Sequence, residues 1–148
     1  MATTMDGAIV IARPVEDVYR FVTDTANDQR WQPSVRKSHG SPAGPWGVGT
    51  KVVQRRHFAG LRFKMKWRVL EVELNRRVHS RFGGVMAIGE GDYFFEAVSG
   101  GTRFRMVVTG RARWWNLPLE PLLRSRARLE VPVSLARLKA TLERPSGG

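Results

Sequence analysis

The sequence predicts an α+β domain in which β-hairpins build an antiparallel sheet and helices cover one of its faces. The strongest observation is the strict alternation of basic and apolar side chains over residues 62–69, which is typical of a half-buried strand. Glycine pairs at residues 83–84 and 100–101 end or join further strand-like runs. Leucines then recur at helical spacing over residues 119–142, which predicts a long C-terminal helix.

The composition is that of an ordinary globular protein, with 42% hydrophobic and 26% charged residues in 148. We expect one domain over residues 1–148, with residues 144–148 as a flexible tail. Neither a signal peptide nor an apolar run of about 18 residues, as a membrane span needs, is predicted. Because the chain has no cysteine, we expect a cytoplasmic protein without disulfides or thiolate metal sites.

The net charge of +12 and the isoelectric point near 11.4 favour acidic partners. Nucleic acid, an anionic membrane surface and an acidic carrier protein all fit this charge. The chain has 20 arginines and 5 lysines, a ratio that GC-rich codon usage alone can produce. Net charge alone therefore does not decide whether the basic residues serve a functional partner or reflect codon bias, and we weigh the two explanations equally.

The predicted elements run in the order strand, two short helices, about six strands and a long helix. Pro14 suits the first turn of the first helix, whose apolar face is formed by Val15, Val18, Tyr19 and Val22. Pro132 predicts either a kink in the last helix or an irregular segment before its main part. The ranges are 7–12 for the first strand, 14–23 and 25–31 for the short helices, 38–49 for a loop, and 50–58, 62–69, 77–82, 92–99 and 102–113 for later strands.

Two-residue turns at Ala59-Gly60 and Gly100-Gly101 predict the register of two hairpins, and register decides which side chains share a face. In the first hairpin, Gln54 and Arg56 share the inner face with Phe58, Phe63, Met65 and Trp67, while His57 and the basic residues face outward. In the second hairpin, the expected pairs are Tyr93 with Val108, Phe95 with Met106, Ala97 with Phe104 and, on the other face, Glu96 with Arg105.

Arg56 is a charged residue that this register places on an apolar face. An unpaired buried charge is strongly unfavourable, so Arg56 should contact an anion, a carboxylate such as Glu71, or water. Alternatively, it lies near the strand end and extends into solvent. An apolar wall with a few polar groups is typical of a ligand pocket, but the same aromatic residues can also form a packed core.

Four segments carry a family resemblance: AIVIARPVEDVYRFVTDTANDQRW at residues 8–31, GPWGVGT at 44–50, GGTRF at 100–104 and LARLKATLE at 135–143. On these segments the chain resembles the START/SRPBCC superfamily of polyketide cyclases, dehydrases, lipid carriers and birch-pollen-allergen-like proteins. The resemblance implies a helix-grip fold. In that fold a seven-stranded curved antiparallel sheet wraps around the long C-terminal helix, two short helices follow the first strand, and a cavity lies between sheet and helix.

The resemblance also implies a function, namely binding of a hydrophobic or aromatic small molecule such as a polyketide, lipid or quinone. Some members are polyketide cyclases or dehydratases, and an acidic acyl carrier protein would then be a partner of the basic sheet face. The alternatives are a non-catalytic carrier and a toxin-like protein that binds RNA or the ribosome, for which few exposed aromatic residues are available. Fold alone does not choose among these.

The site residues expected on this basis line the inner face of the sheet. If a reaction occurs, Arg56 would stabilise an enolate and Tyr93 would donate or relay a proton. Trp114 either guards the cavity mouth or fastens the last helix to the sheet. The ligand-binding residues expected are Gln54, Arg56, Phe58, Phe63, Met65, Trp67, Phe82, Tyr93, Phe95, Phe104, Met106 and Trp114.

Motifs for other chemistry are not found. His39, His57 and His79 are scattered without metal-ligand spacing, so no metal is expected, and no cofactor-binding loop is recognised either. Residues 89–91 read Gly-Glu-Gly, but no predicted helix follows them, so we interpret this segment as a bulge or turn.

Overall fold

The computed structural model describes residues 3–42, 44–58, 60–84, 87–113, 118 and 120–144, except for the side chain of Phe58. Seven strands form one antiparallel sheet in the order β1-β7-β6-β5-β4-β3-β2, which confirms the predicted helix-grip architecture. The elements are β1 (Thr3–Ile11), α1 (Val15–Val22), a 3-10 turn (Thr25–Asn27), α2 (Asp28–Trp31), β2 (Val35–Ser41), β3 (Lys51–Phe58), β4 (Leu61–Glu73), β5 (Arg77–Gly84), β6 (Ala87–Val98), β7 (Gly101–Ala112) and α3 (Glu120–Glu143).

The register of the β3–β4 hairpin is the predicted one, with Phe58 opposite Leu61 and Gln54 opposite Met65. Inner side chains of β4 are therefore shielded, while the intervening basic side chains are exposed. The alternation in the sequence thus predicted correctly which side chains lie on each face of this strand, because successive side chains of a strand point to opposite faces.

The β6–β7 hairpin differs from the prediction by two residues. The turn is formed by Ser99-Gly100, with Gly100 at φ +84°, so that Phe95 lies opposite Phe104 and Tyr93 opposite Met106. A shift of two preserves the face of every side chain and changes only its partner. The expected pair of Glu96 with Arg105 is therefore wrong: Glu96 lies opposite Arg103, and Arg105 donates to Asp6 on β1.

Two segments predicted as irregular are strands. Residues 38–41, assigned to a loop, belong to β2, an edge strand whose polar, exposed side chains carry no apolar alternation. Residues 89–91 lie within β6 and pair with both β5 and β7 without a bulge. Glycine is needed there because a Cβ at Gly89 would lie 2.2 Å from the carbonyl oxygen of Thr109.

The core lies between the sheet, α1 and the C-terminal half of α3. Trp31, Phe104, Ile11 and Leu138 are among its fully buried side chains. As predicted, α1 buries Val18, Tyr19 and Val22, and the ring of Tyr19 meets the ring of Phe95 edge to face at 5.0 Å. Helix α3 packs closely on β1, where a Cβ at Gly7 would lie 2.7 Å from Val131.

Helix α3 continues through Pro132, so the irregular segment, which was one of the two outcomes expected there, does not form. A proline removes one intrahelical hydrogen bond. Pro132 is exposed, and the carbonyl that loses its partner therefore lies on the side of α3 that water can reach. No helix in the described part of the chain is both long and apolar enough to cross a bilayer.

Candidate functional site

A cavity of about 190 Å³ lies between the inner face of the sheet and α3. Its walls are mainly apolar on both sides, although Arg111 of β7 and Glu120 and Arg124 of α3 also line it. The sheet contributes mainly Met5, Phe63, Met65, Trp67, Phe82, Met106 and Val108, and the helix contributes Leu123, Ala127 and Val131. In another protein, an apolar cavity of about 150 Å³ takes up benzene. The volume here is therefore large enough for a compact ring compound.

One end of this cavity is polar, and Arg56 is its central group. Its guanidinium donates to Gln54 Oε1 at 2.7 and 3.0 Å and to Gln32 Oε1 at 2.9 Å. Two further donations go to Ser34 Oγ at 2.8 Å and to Glu130 Oε2 at 3.5 Å. An arginine has five N–H donors in total, about as many as the contacts formed here. The guanidinium is thus fully engaged by protein groups.

A carboxylate neutralises Arg56, as one of the expected alternatives had it, but it is Glu130 on α3 and not the candidate Glu71. The side chains of Arg56 and Glu130 are only 11% and 19% exposed, so Arg56 does not extend into solvent either. Glu130 also accepts from the backbone N–H of Ser34 at 2.7 Å, which fixes its carboxylate. Glu71 instead contacts Arg77 at 3.6 Å, on the other face of the sheet. The pair ties α3 to β3 at the polar end of the cavity.

Asp28 lies behind this polar end, with none of its surface exposed. Its Oδ2 accepts from Ser38 Oγ at 2.7 Å and from Gln54 Nε2 at 3.0 Å, while Oδ1 has no partner among the described residues. Burial raises the pKa of Asp28 to about 6, because desolvation outweighs these hydrogen bonds and the charge of Arg56. Its ionisation therefore falls close to neutral pH.

Tyr93 lines the cavity beside this network. Burial raises the pKa of its hydroxyl, the negative charges of Asp28 and Glu130 raise it further, and Arg56 opposes them. The phenol therefore keeps its proton and can act only as a hydrogen-bond donor or acceptor near neutral pH. No described residue forms a hydrogen bond with this hydroxyl. Its ring is held by Trp46, stacked at 6.2 Å, and by Trp31, edge-on at 6.1 Å.

The structure brings together six of the expected ligand-binding side chains besides Arg56. These are Phe63, Met65, Trp67, Phe82, Tyr93 and Met106, and all line the cavity. Gln54 lies one layer deeper, where it accepts from Trp67 Nε1 at 2.9 Å and borders a smaller space of about 20 Å³. Phe95 and Phe104 belong to the packed core. Trp114 and the side chain of Phe58 lie outside the described residues.

Several lining residues were not anticipated, and many of them belong to α3. Leu123, Ala127, Glu130 and Ser134 line the cavity at helical spacing. A signal was available, because a carboxylate such as Glu130 on the apolar face of a helix requires a partner. Trp46 was also missed, since it lies in a glycine- and proline-rich loop whose position the sequence does not fix.

A family model described as polyketide cyclase / dehydrase and lipid transport matches residues 2–143. No curated protein sequence matches the chain. The fold is similar to that of the Zhui aromatase/cyclase from Streptomyces sp. R1128, with a TM-score of 0.80 at 15% identity over 100% of this chain and 99% of that one.

Two further solved structures are similar. A START superfamily protein from Mycobacterium smegmatis has a TM-score of 0.77 at 13% identity, covering 95% of this chain and 97% of that one. The di-domain ARO/CYC BexL from the BE-7585A biosynthetic pathway has a TM-score of 0.77 at 16% identity, covering 97% of this chain and 51% of that one. At these identities the likeness establishes the fold alone.

Proposed function

The chain belongs to the polyketide cyclase / dehydrase and lipid transport family, and we propose that it binds a compact apolar molecule bearing a carbonyl or hydroxyl oxygen between its sheet and α3. The observation that carries this proposal is the cavity of about 190 Å³, whose mainly apolar lining includes Tyr93 beside the polar end. Apolar pockets with a few convergent polar groups are typical small-molecule sites.

The polar end favours a neutral oxygen over a carboxylate as the group that reaches Tyr93. Arg56 is already paired with Glu130, and Asp28 adds a second carboxylate nearby. With Asp28 ionised, these three groups sum to a negative charge, which would repel an anionic ligand group. A protonated phenol, in contrast, donates well to a ketone, quinone or phenol oxygen.

Binding without chemistry accounts for this arrangement better than catalysis does. To stabilise an enolate, Arg56 would have to release Glu130 or one of its glutamines, since its donors are engaged. A buried ion pair broken on one side is strongly unfavourable. Cyclisation or dehydration is the second candidate, and it rests on Tyr93, whose neutral hydroxyl could polarise a ligand carbonyl.

The test uses isothermal titration of the full-length protein with 2-acetylnaphthalene, an aryl ketone, and with naphthalene. We expect both compounds to bind. Ala127→Phe places a ring in the cavity and should weaken the binding of both compounds at least about tenfold, because the ligand loses buried apolar contact area. Ala136→Phe on the exposed side of the same helix is the matched control and should leave affinity unchanged. Equal affinity of wild type and Ala127→Phe would show that the ligand binds elsewhere.

Tyr93→Phe then tests the contribution of the Tyr93 hydroxyl to ligand binding. Losing one hydrogen bond of about 0.5–1.5 kcal/mol should weaken binding of the ketone by roughly 2- to 13-fold and leave naphthalene unaffected. Tyr19→Phe is the control, because Tyr19 packs on Phe95 in the core and does not line the cavity. An equal loss for both ligands would instead indicate a change in cavity shape and refute the role of the hydroxyl.

A further inference from the structure

The outer face of β2, β3 and β4 is a continuous basic surface. We call it the basic face, and it consists of seven exposed side chains: Lys37, Lys51, Arg55, Arg62, Lys64, Lys66 and Arg68. The antiparallel register brings them together, with Lys37 opposite Arg55, Arg55 opposite Lys64, and Lys51 opposite Arg68. The Cβ atoms of these residues are about 5 Å apart across neighbouring strands and about 7 Å apart along each strand.

This arrangement is electrostatically unfavourable for the isolated protein, because like charges placed directly opposite each other destabilise a sheet. None of the seven forms an ion pair with a described residue. The rest of the outer face is built differently. There Arg77 contacts Asp92 at 2.8 Å, and Arg81 contacts Glu90 at 3.5 Å. Several charges on the rest of the sheet are thus paired, whereas all seven cations of the basic face are unpaired among the described residues.

The sequence shows the same asymmetry. No aspartate or glutamate occurs between Asp28 and Glu71, although the chain has 13 acidic residues. Of the 5 lysines in the chain, all but Lys139 belong to the basic face. A preference for arginine codons explains many arginines, but it does not explain why lysines cluster on one surface or why acidic residues avoid it. The basic face is therefore a specific feature and not a by-product of composition.

The chemistry of this surface selects among anionic partners. Insertion into a lipid surface requires apolar side chains beside the cations, and among the described residues between Lys51 and Arg68 only Val53 is an apolar residue on the outer face. Single-stranded nucleic acid is held by aromatic stacking, but Phe63 and Trp67 point to the cavity on the other face. A closely spaced array of cations without either feature suits a dense, regular row of phosphates.

We propose that the basic face binds the phosphate backbone of a nucleic-acid duplex without reading its base sequence. A duplex carries one negative charge per about 1.7 Å of its axis, so several of the seven cations meet phosphates at once and their mutual repulsion is relieved. Since the sheet curves around α3, the basic face lies on its convex side, away from the helix. The cavity opens on the opposite side of the sheet, so both sites can be occupied together.

The experiment measures binding of the full-length protein to fluorescent RNA and DNA duplexes of unrelated sequences by anisotropy, over a salt series. We expect similar affinity for different sequences and a steep fall in affinity between about 50 and 200 mM salt. Changing Lys37, Lys51, Lys64 and Lys66 together to Gln should weaken binding at least about tenfold and reduce the slope of log K against log salt by about 0.9 for each lysine that meets a phosphate.

A matched variant separates this surface from net charge. Arg103, Arg126, Arg128 and Arg137 are exposed elsewhere, and changing all of them to Gln removes the same charge. This control should keep the wild-type salt slope, while the lysine variant should unfold at the same or a higher temperature because repulsion is removed. Equal losses in both variants would overturn the proposal. So would tighter, lysine-dependent binding to phosphatidylserine vesicles or to polyglutamate than to the duplexes.

Discussion

The ionisation of Asp28 gives the sharpest quantitative prediction. This carboxyl is completely buried, and Asp28→Asn keeps an oxygen that can accept from Ser38 and Gln54 while removing the titration. In the folded protein its pKa is raised to about 6, because burial disfavours the charged form, whereas the ordinary value is 3.8. The folded state therefore holds the proton over a pH range in which the unfolded chain has lost it.

The sign and size of the effect follow from this difference. Below pH 3.8 the carboxyl is protonated in both states, and above about pH 6 it is ionised in both. Between these values the free energy of unfolding falls as pH rises, since only the native state binds the proton. A difference of roughly two pKa units corresponds to about 3 kcal/mol at about 1.36 kcal/mol per unit.

The assay is urea unfolding of wild type and Asp28→Asn at a series of pH values. Other titrating groups cancel in the difference between the two proteins. We expect this difference to change by about 3 kcal/mol across the window, with wild type losing stability relative to Asp28→Asn as pH rises. Glu96→Gln, at an exposed site, should run parallel to wild type. A difference that does not vary with pH would refute the argument that burial controls this carboxyl.

Two further predictions concern stability. Arg56→Met leaves Glu130 buried without its cation and should lower the free energy of unfolding by about 3–5 kcal/mol in chemical denaturation. Arg55→Met, at the preceding residue on the exposed outer face, should change it by less than about 0.5 kcal/mol. Equal effects of the two substitutions would contradict the hydrogen-bond network around Arg56. Gly89→Ala would place a Cβ 2.2 Å from the backbone oxygen of Thr109 and should destabilise the protein by about 1–3 kcal/mol, as measured by thermal unfolding. Gly83→Ala is the control, because the nearest neighbour of its Cβ lies at 4.0 Å. A tolerated Gly89→Ala would mean that β6 and β7 are not packed as closely as this distance requires.

Much of the fold and one wall of the candidate site followed from local patterns. Alternation along β4 placed Phe63, Met65 and Trp67 on the inner face, and the tight turn after Phe58 fixed the register of the first hairpin. Both depend on periods and turns of a few residues, which a sequence displays directly. The same rule preserved the faces of the second hairpin even though its partners were shifted by two residues.

The shift itself required the rest of the molecule. A Cβ at Gly101 would lie 2.0 Å from the carbonyl oxygen of Ile11, so this glycine serves the close approach of β7 to the end of β1 rather than the turn. A glycine pair carries the same local signal in either role. Which glycine forms the turn was therefore decided by a contact with a distant strand.

The polar end of the cavity was likewise decided by contacts between segments that are distant in the sequence. The sequence indicated that Arg56 needs a partner, since a buried charge is unfavourable alone, but Glu71 was nearest along the chain. Glu130, which lies 74 residues away, became the partner because α3 packs beside α2 at the polar end of the cavity. Periodicity in the sequence thus determined which side chains point inward. The partner of Arg56, the burial of Asp28 and the size of the cavity were decided only by the tertiary structure, because they depend on contacts between segments that no local sequence pattern connects.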